Sequence, residues 1–183
     1  MAKQFDSISD KLTEFIQGQH IFFVATATEE GRVNLSPKGM DSLRVLGPNR
    51  VIWLNVTGSG NETAAHVTLN PRMTVMFTSF EEKPLILRLY GRAKAVHKND
   101  PAWPELIKNF GSLPGARQIF DLEIEMVQTS CGFAVPFYTY TGEREQLNKW
   151  ADHKGEKQIE EYWQEKNAVS LDGIDTDIKN RNT

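Results

Sequence analysis

The sequence predicts a mainly β protein with flanking helices (α+β), built as a barrel or sandwich of antiparallel strands. Short apolar runs recur between residues 21 and 55, and several alternate with polar residues in the two-residue period of a half-buried strand. Tight turns separate these runs at residues 29–32 and 47–50, and strands joined by such turns pair antiparallel in a meander.

Each element follows from its own local pattern. Ser7 and Asp10 have the spacing of a capping box, and Gly18 ends the helix that follows them. Strands are predicted at 21–26, 33–36, 43–46, 51–55, 73–80, 85–96, 120–126 and 132–140, and helices at 62–69 and 101–110. Two helical stretches follow from about residue 141, and the polar tail from Ser170 is expected to be irregular.

Length and composition exclude several classes of protein. The 183 residues suit a single domain (1–183) with a helical C-terminal extension from about residue 141. A net charge of −3 does not favour nucleic acid or an anionic membrane as a partner. A single cysteine permits no intrachain disulfide, the first residues lack the apolar run typical of a signal peptide, and no stretch approaches the ~20 apolar residues of a transmembrane helix. We therefore expect a cytoplasmic protein.

The loop between the strand at 51–55 and the helix at 62–69 is a candidate phosphate cradle. It has the sequence Thr-Gly-Ser-Gly-Asn from residue 57, so Ser59, Asn61 and Thr63 accompany flexible glycines at a helix N-terminus. Unpaired N–H groups and the helix dipole favour anions at such a position. An ordinary turn with a helix cap remains an open alternative. The loop matches neither the Rossmann fingerprint nor the P-loop.

A second polar pattern lies on the strand that precedes Pro37. Arg32, Asn34 and Ser36 point to one side of an extended chain, and Lys38 follows just past the strand end. Ser36 and Lys38 are therefore candidates to contact a phosphate from the side opposite the helix. A solvated lysine at a strand end is the alternative.

Several segments occur in the order found in one family. They are residues 31–39, 58–63, 70–77, 85–93, 131–136 and 170–173. In this order they resemble the pyridoxamine 5'-phosphate oxidase-like family, in the branch described as oxidase-related and FMN-binding. The resemblance implies a split β-barrel and a homodimer with FMN at the interface.

The resemblance also implies a set of cofactor-binding residues. Arg32 and Lys38 are the nearest counterparts of the family's Arg-x-Val-Leu-Leu-Lys strand, and Trp53 and Asn55 match the strand that edges the flavin ring. Glu62 belongs to a stretch that replaces the Ser-Arg-Lys of the oxidases, which shifts phosphate binding toward Lys38, Arg88 and backbone N–H groups. The complete predicted set is Arg32, Ser36, Lys38, Trp53, Asn55, Ser59, Asn61, Thr63 and Arg88.

An FMN-dependent oxidoreductase that acts on an unidentified small molecule is the function these residues favour. Strict pyridoxamine phosphate oxidase activity is not expected, because the chain lacks the family's C-terminal Trp and Arg pair. The alternatives are a non-catalytic flavin-binding or stress protein, and a split-barrel carrier of haem or deazaflavin. For haem, His66 or His97 would be the axial ligand.

The remaining reactive side chains point to no catalytic group or metal site. The four histidines have no metal-binding spacing, and Glu62 with His66 is interpreted as a surface or supporting pair. Cys131 precedes a predicted apolar strand and is expected to be buried and structural. Trp53 has the best placement beside a flat ring, although packing in the strand core is an equal alternative.

Overall fold

The computed structural model describes residues 2–182, whose strands form an antiparallel sheet. The strands are β1 (Lys3–Phe5), β2 (Phe22–Thr26), β3 (Asn34–Lys38), β4 (Leu43–Gly47), β5 (Arg50–Val56), β6 (Arg72–Thr78), β7 (Ile86–His97) and β8 (Ala116–Ser130). Their order is β3-β2-β6-β7-β8-β5-β4, and β1 pairs with β8 outside this path. The prediction of a mainly β protein with antiparallel strands and flanking helices is confirmed, while the split barrel stays a prediction.

The helices lie mostly where hydrophobic periodicity predicts them. They are α1 (Asp10–Gln17), α2 (Glu62–Leu69), α3 (Trp103–Leu106) with a 3₁₀ turn at Ile107–Asn109, α4 (Gln146–Lys166) and α5 (Ile178–Arg181). The prediction of a capping box at Ser7 and Asp10 is wrong. Helix α1 begins after Ser9, whose side chain makes no capping hydrogen bond. α4 covers both predicted C-terminal stretches and is interrupted at Gly155, where φ is +68°.

Strand β5 is buried on both faces. The start of the loop that follows it is therefore held against the core. Trp53 packs in the main core, where its ring stacks on Phe120 with centroids 4.5 Å apart. Ile52 and Leu54 pack on the other face, under α3. A third cluster joins α4 to α5 through Trp163 and neighbouring apolar side chains.

Three expectations about the C-terminal third are wrong. No strand forms at 132–140, because Gly132 adopts φ +65° and turns the chain away from the sheet after β8. Cys131 is consequently exposed rather than buried. The tail is not irregular throughout, since it contains α5 and buries Thr176 and Asn182.

Between residues 2 and 182, none of the helices combines the length and the apolar character that crossing a bilayer requires.

Candidate functional site

A cavity of about 560 Å³ lies between β3, the N-terminus of α2 and the segment that follows α4. Polar and charged side chains from all three regions line it, together with the glycine-rich loop. The lining includes Asn34, Ser36, Lys38, Asn55, Ser59, Asn61, Glu62, Thr63, Arg117, Lys166 and Ser170. Most of the predicted phosphate-contacting residues therefore meet at one place.

Strand β3 lines the cavity with every second residue. Asn34, Ser36 and Lys38 are half-buried, whereas the intervening Leu35 and Pro37 are exposed, as alternation along a strand requires. The Asn34 amide donates to Thr63 Oγ1 at 3.1 Å, which ties β3 to the first turn of α2. Ser36 Oγ is buried without a hydrogen-bond partner among residues 2–182.

The helix N-terminus forms the facing wall. Asn61 is the N-cap of α2, and its side chain makes no capping hydrogen bond. Its Oδ1 atom is buried without a partner in the described chain. Because the first N–H groups of a helix have no partner within the helix, this end of α2 carries hydrogen-bond donors and a partial positive charge.

Glu62 brings a carboxylate to the same wall, but that carboxylate is already bound. It accepts the backbone N–H of Leu171 at 3.1 and 3.2 Å. Glu62, which belongs to the stretch that replaces the Ser-Arg-Lys of the oxidases, thus holds the C-terminal segment beside the cavity.

Arg117 supplies a cation that the sequence did not indicate. It lies on β8 in a register shift, where Val56 pairs with Ala116 and Asn55 with Gln118, so Arg117 has no partner on β5. A bulge of this kind redirects a side chain and recurs beside functional sites. Arg117 is 2% exposed. Its Nη1 donates to Gly60 O at 3.2 Å and to Asn167 Oδ1 at 2.6 Å, and its Nε has no partner in the described chain.

Lys38 and Arg117 bring two positive charges to the cavity without a counter-ion. Burial, together with the positive charge of Arg117, lowers the pKa of Lys38 to about 8. Burial also lowers the pKa of Arg117 to about 9, so both groups remain protonated at neutral pH. The ion pairs within residues 2–182 involve neither of them. Two cations without an ion-pair partner among the described residues, beside the unpartnered hydroxyl of Ser36, fit an anionic ligand.

A model of the pyridoxamine 5'-phosphate oxidase family matches residues 8–131. The chain belongs to this family. It is also 39% identical over 190 residues to the pyridoxamine 5'-phosphate oxidase family protein ustO of Aspergillus flavus, an alignment that covers 93% of this chain and 76% of that protein.

Two solved structures share the fold of this family member. A variant of HupZ from Group A Streptococcus has a TM-score of 0.55 at 18% identity, over 67% of this chain and 99% of that one. A Lactobacillus delbrueckii protein, provisionally assigned as a pyridoxamine 5'-phosphate oxidase, has the same TM-score and identity, over 67% and 94% of the two chains.

Three residues that the family resemblance indicated lie outside the lining of the cavity. Arg32 precedes β3 and forms an exposed ion pair with Asp172, whose carboxylate also accepts the Arg32 backbone N–H at 2.8 Å. Arg88 lies on the face of β7 opposite the buried Leu87, and it donates to Ser130 Oγ at 3.0 Å. Trp53 is fully buried in the core.

Six predicted residues line the cavity of this family member: Ser36, Lys38, Asn55, Ser59, Asn61 and Thr63. Asn55 is held by Gln118, to whose Oε1 it donates at 3.2 Å. The predicted site residues include neither Arg117 nor the residues after α4, and Asn34 was predicted only to lie on the same side of its strand as Ser36. No local sequence pattern indicates Arg117, which stands beside the polar Gln118 at the start of β8.

The histidines offer no ligand at the cavity. His66 is 1% exposed and bonds Thr26 Oγ1 through Nδ1 at 3.1 Å, so the surface half of its interpretation is wrong, while the supporting half stays a prediction. His97 is fully buried and bonds Asn182 at 2.9 Å. Neither residue lines the cavity, and within residues 2–182 no cluster of His, Cys, Asp and Glu is suited to a metal ion.

A second, larger cavity of about 900 Å³ is also lined by Lys38. His20 stacks on Tyr140 there, with centroids 3.6 Å apart and planes within 5°. Phe80 and Tyr138 also line it and meet edge to face. Lys38 is therefore a lining residue of both the polar cavity and this aromatic one.

Proposed function

We propose that this protein is an FMN-dependent oxidoreductase that acts on a small molecule not yet identified. The observation that carries the proposal is that two cations without an ion-pair partner in residues 2–182, Lys38 and Arg117, both line the polar cavity. Leaving two cations without a counter-ion is costly unless a ligand supplies the negative charge. Membership of the pyridoxamine 5'-phosphate oxidase family makes a flavin phosphate the natural candidate.

The phosphate end of FMN fits the chemistry of the polar cavity. A phosphate monoester carries nearly two negative charges at neutral pH and three acceptor oxygens. Lys38 and Arg117 supply charge, Ser36 supplies a hydroxyl donor, and the first turn of α2 supplies backbone N–H groups. These groups would hold the phosphate.

The neighbouring aromatic compartment suits a flat ring and a substrate. Lys38 lies on the wall of both cavities, so it would contact the ligand where its polar and aromatic parts meet. When bound, the isoalloxazine supplies the redox chemistry, by accepting or donating a hydride equivalent. The protein's own residues bind the phosphate, orient the ligand and limit access of water.

We also propose that the protein works as a homodimer. The β3 edge of the sheet exposes Val33 and Leu35, which are 74% and 66% accessible, and the segment after β8 exposes Phe133 and Phe137. Apolar side chains of this size on a surface favour a protein contact. Light scattering of the purified protein tests this point, and a monomer that binds a full complement of flavin would contradict it.

Titration with FMN and with riboflavin tests the cofactor. The two ligands share the ring and differ in the phosphate, so tighter FMN binding, by about 30-fold or more, is expected from charge-assisted hydrogen bonds. Equal affinities, or no binding of either ligand, would overturn the assignment of the polar cavity.

Reduction of the bound flavin tests the enzymatic part of the proposal. The holoprotein is mixed anaerobically with candidate donors, including NADH and NADPH. At least one donor is expected to bleach the flavin absorption at a rate fast enough to support turnover. A holoprotein that keeps its flavin oxidised with every donor tested would support the non-catalytic alternative. The haem alternative has no support at this cavity, because neither His66 nor His97 lines it.

A further inference from the structure

Asn167, the residue that follows α4, is at the centre of the hydrogen bonds that shape the polar cavity. It is fully buried. Its Oδ1 accepts the Arg117 guanidinium at 2.6 Å, and its Nδ2 donates to the carbonyl of Gly58 at 3.1 Å. Its own carbonyl accepts Asn61 Nδ2 at 3.4 Å. One residue thus connects the bulge of β8, the glycine-rich loop and the cap of α2.

Asn167 is itself held from two sides. Its N–H donates to Trp163 O at 2.9 Å, and Thr176 Oγ1 donates to its carbonyl at 2.7 Å. The indole of Trp163 donates to Thr57 Oγ1 at 2.7 Å, which joins the end of α4 to the start of the loop. A side chain so constrained fixes its partners in position.

The chemistry of the contact with Arg117 is as informative as its geometry. Both acceptors for Nη1 are neutral: an amide oxygen of Asn167 and the backbone carbonyl of Gly60. A buried arginine is ordinarily paired with a carboxylate, which cancels its charge. A neutral amide positions the guanidinium without cancelling its charge, which leaves that charge available to a ligand.

We propose that Asn167 is a positioning residue for phosphate recognition, which holds Arg117 and the glycine-rich loop through neutral hydrogen bonds so that the arginine charge acts on the ligand. This inference rests on the proposed FMN binding. It assigns part of the cofactor site to the segment after α4, outside the residues matched by the family model.

The replacement Asn167→Asp tests the proposal, because it keeps the acceptor for Arg117 and adds a charge that cancels that of the arginine. It also removes the Nδ2 donor to Gly58 O, an effect that Asn167→Ala shares without the added charge. We expect N167D to bind FMN about 30-fold or more weakly, since a charge-assisted contact is lost and the phosphate meets a carboxylate. Riboflavin affinity is expected to change by no more than about twofold, because the phosphate is absent. The matched control Asn180→Asp places the same change on the exposed face of α5 and is expected to leave both affinities unchanged.

The ratio of riboflavin to FMN dissociation constants is the deciding quantity, because a purely structural role would weaken both ligands together. A ratio in N167D equal to that of the wild type would overturn the inference. Should N167D melt well below the wild type, Asn167→Ala removes the acceptor without adding charge. The ratio is then expected to fall by about fivefold or more, and an unchanged ratio overturns the inference. If the wild type itself does not prefer FMN, the proposed function fails independently of Asn167.

Discussion

The ammonium group of Lys38 lies over the indole ring of Trp53, 5.4 Å from the ring centroid. Trp53 is fully buried and stacks on Phe120, so the lysine packs against the edge of the main core. A cation over an aromatic face is attracted to the ring, yet this contact provides no counter-charge. Lys38 is therefore held in place and remains able to pair with an anion.

The affinity for FMN is expected to fall with rising pH above about 8. The pKa of Lys38 is lowered to about 8, first by burial and second by Arg117, so the free protein loses this charge as pH rises through that value. A phosphate that binds the protonated form must then be accompanied by proton uptake, and the dissociation constant rises about tenfold per pH unit. Titrations between pH 7 and 9.5 measure this slope.

Two controls isolate the contribution of Lys38 to that pH dependence. Riboflavin is expected to show little of the slope, because it lacks the phosphate. The Lys38→Met variant is expected to bind FMN more weakly at pH 7 and to lose the slope below about pH 9, where Arg117, whose pKa burial lowers to about 9, still carries its charge. A slope that persists in K38M below pH 9 would assign the titration to another group.

Arg117 and Arg32 are expected to differ sharply in their effect on FMN binding. Arg117 lines the cavity, whereas Arg32 is paired with Asp172 at the surface. Arg117→Gln should therefore weaken FMN binding by about 10- to 100-fold, while Arg32→Gln changes it by no more than about twofold. Calorimetric titration of both variants under one set of conditions makes the comparison.

The melting temperature gives a second readout for the same pair of variants. Because Arg117 is buried without a counter-ion, its removal is expected to leave the ligand-free protein as stable as the wild type or more stable. A loss of FMN affinity in R32Q equal to that in R117Q would restore Arg32 to the role that the family resemblance indicated.

The contrast between these two arginines shows which site residues can be predicted from the sequence and which cannot. The alternation on β3 follows from a fixed two-residue period, so Ser36 and Lys38 lie on the same side of the strand, toward the cavity. Helix α2 has the predicted bounds, since a loop rich in glycine and the following proline mark its ends. Arg117 depends instead on a register shift between two strands far apart in sequence, which no local pattern reveals.

The missing strand at 132–140 has a similar cause. Phe133, Val135 and Phe137 have the alternation of a strand, but the left-handed backbone at Gly132 ends the pairing of β8 before they begin. Pairing partners and backbone direction, rather than local propensity, decide whether an apolar run joins a sheet. The same limit applies to Asn167, which contacts residues more than a hundred positions earlier.

Gly91 is expected to tolerate no side chain. A Cβ atom at this position would lie 1.9 Å from the backbone oxygen of Glu123, at the register shift between β7 and β8. Because the obstacle is backbone, Gly91→Ala is expected to lower the free energy of unfolding by about 3 kcal/mol. The control is Gly47→Ala, since a Cβ there meets nothing within 4 Å. Urea unfolding of the two variants measures the difference, and equal midpoints would contradict the close approach of the strands.

Stability is expected to fall as the pH is lowered from 6.5 to 4, because of His97. This residue is fully buried, and burial followed by the positive charge of Arg181 lowers its pKa to about 4. The unfolded chain, with a histidine pKa of about 6.5, binds more protons than the folded chain throughout this window. The free energy of unfolding therefore decreases as pH falls through it, by up to about 3 kcal/mol, and is unaffected by this group above pH 6.5.

Urea unfolding at pH 7, 5.5 and 4.5 measures the contribution of His97. The His97→Gln variant cannot take up that proton, so its stability should change less over the window than that of the wild type. His153→Gln, on the exposed side of α4, is the matched control and should keep the wild-type slope. If H97Q and H153Q lose stability equally on acidification, the titrating group lies elsewhere and the C-terminal contact of His97 with Asn182 does not sense pH.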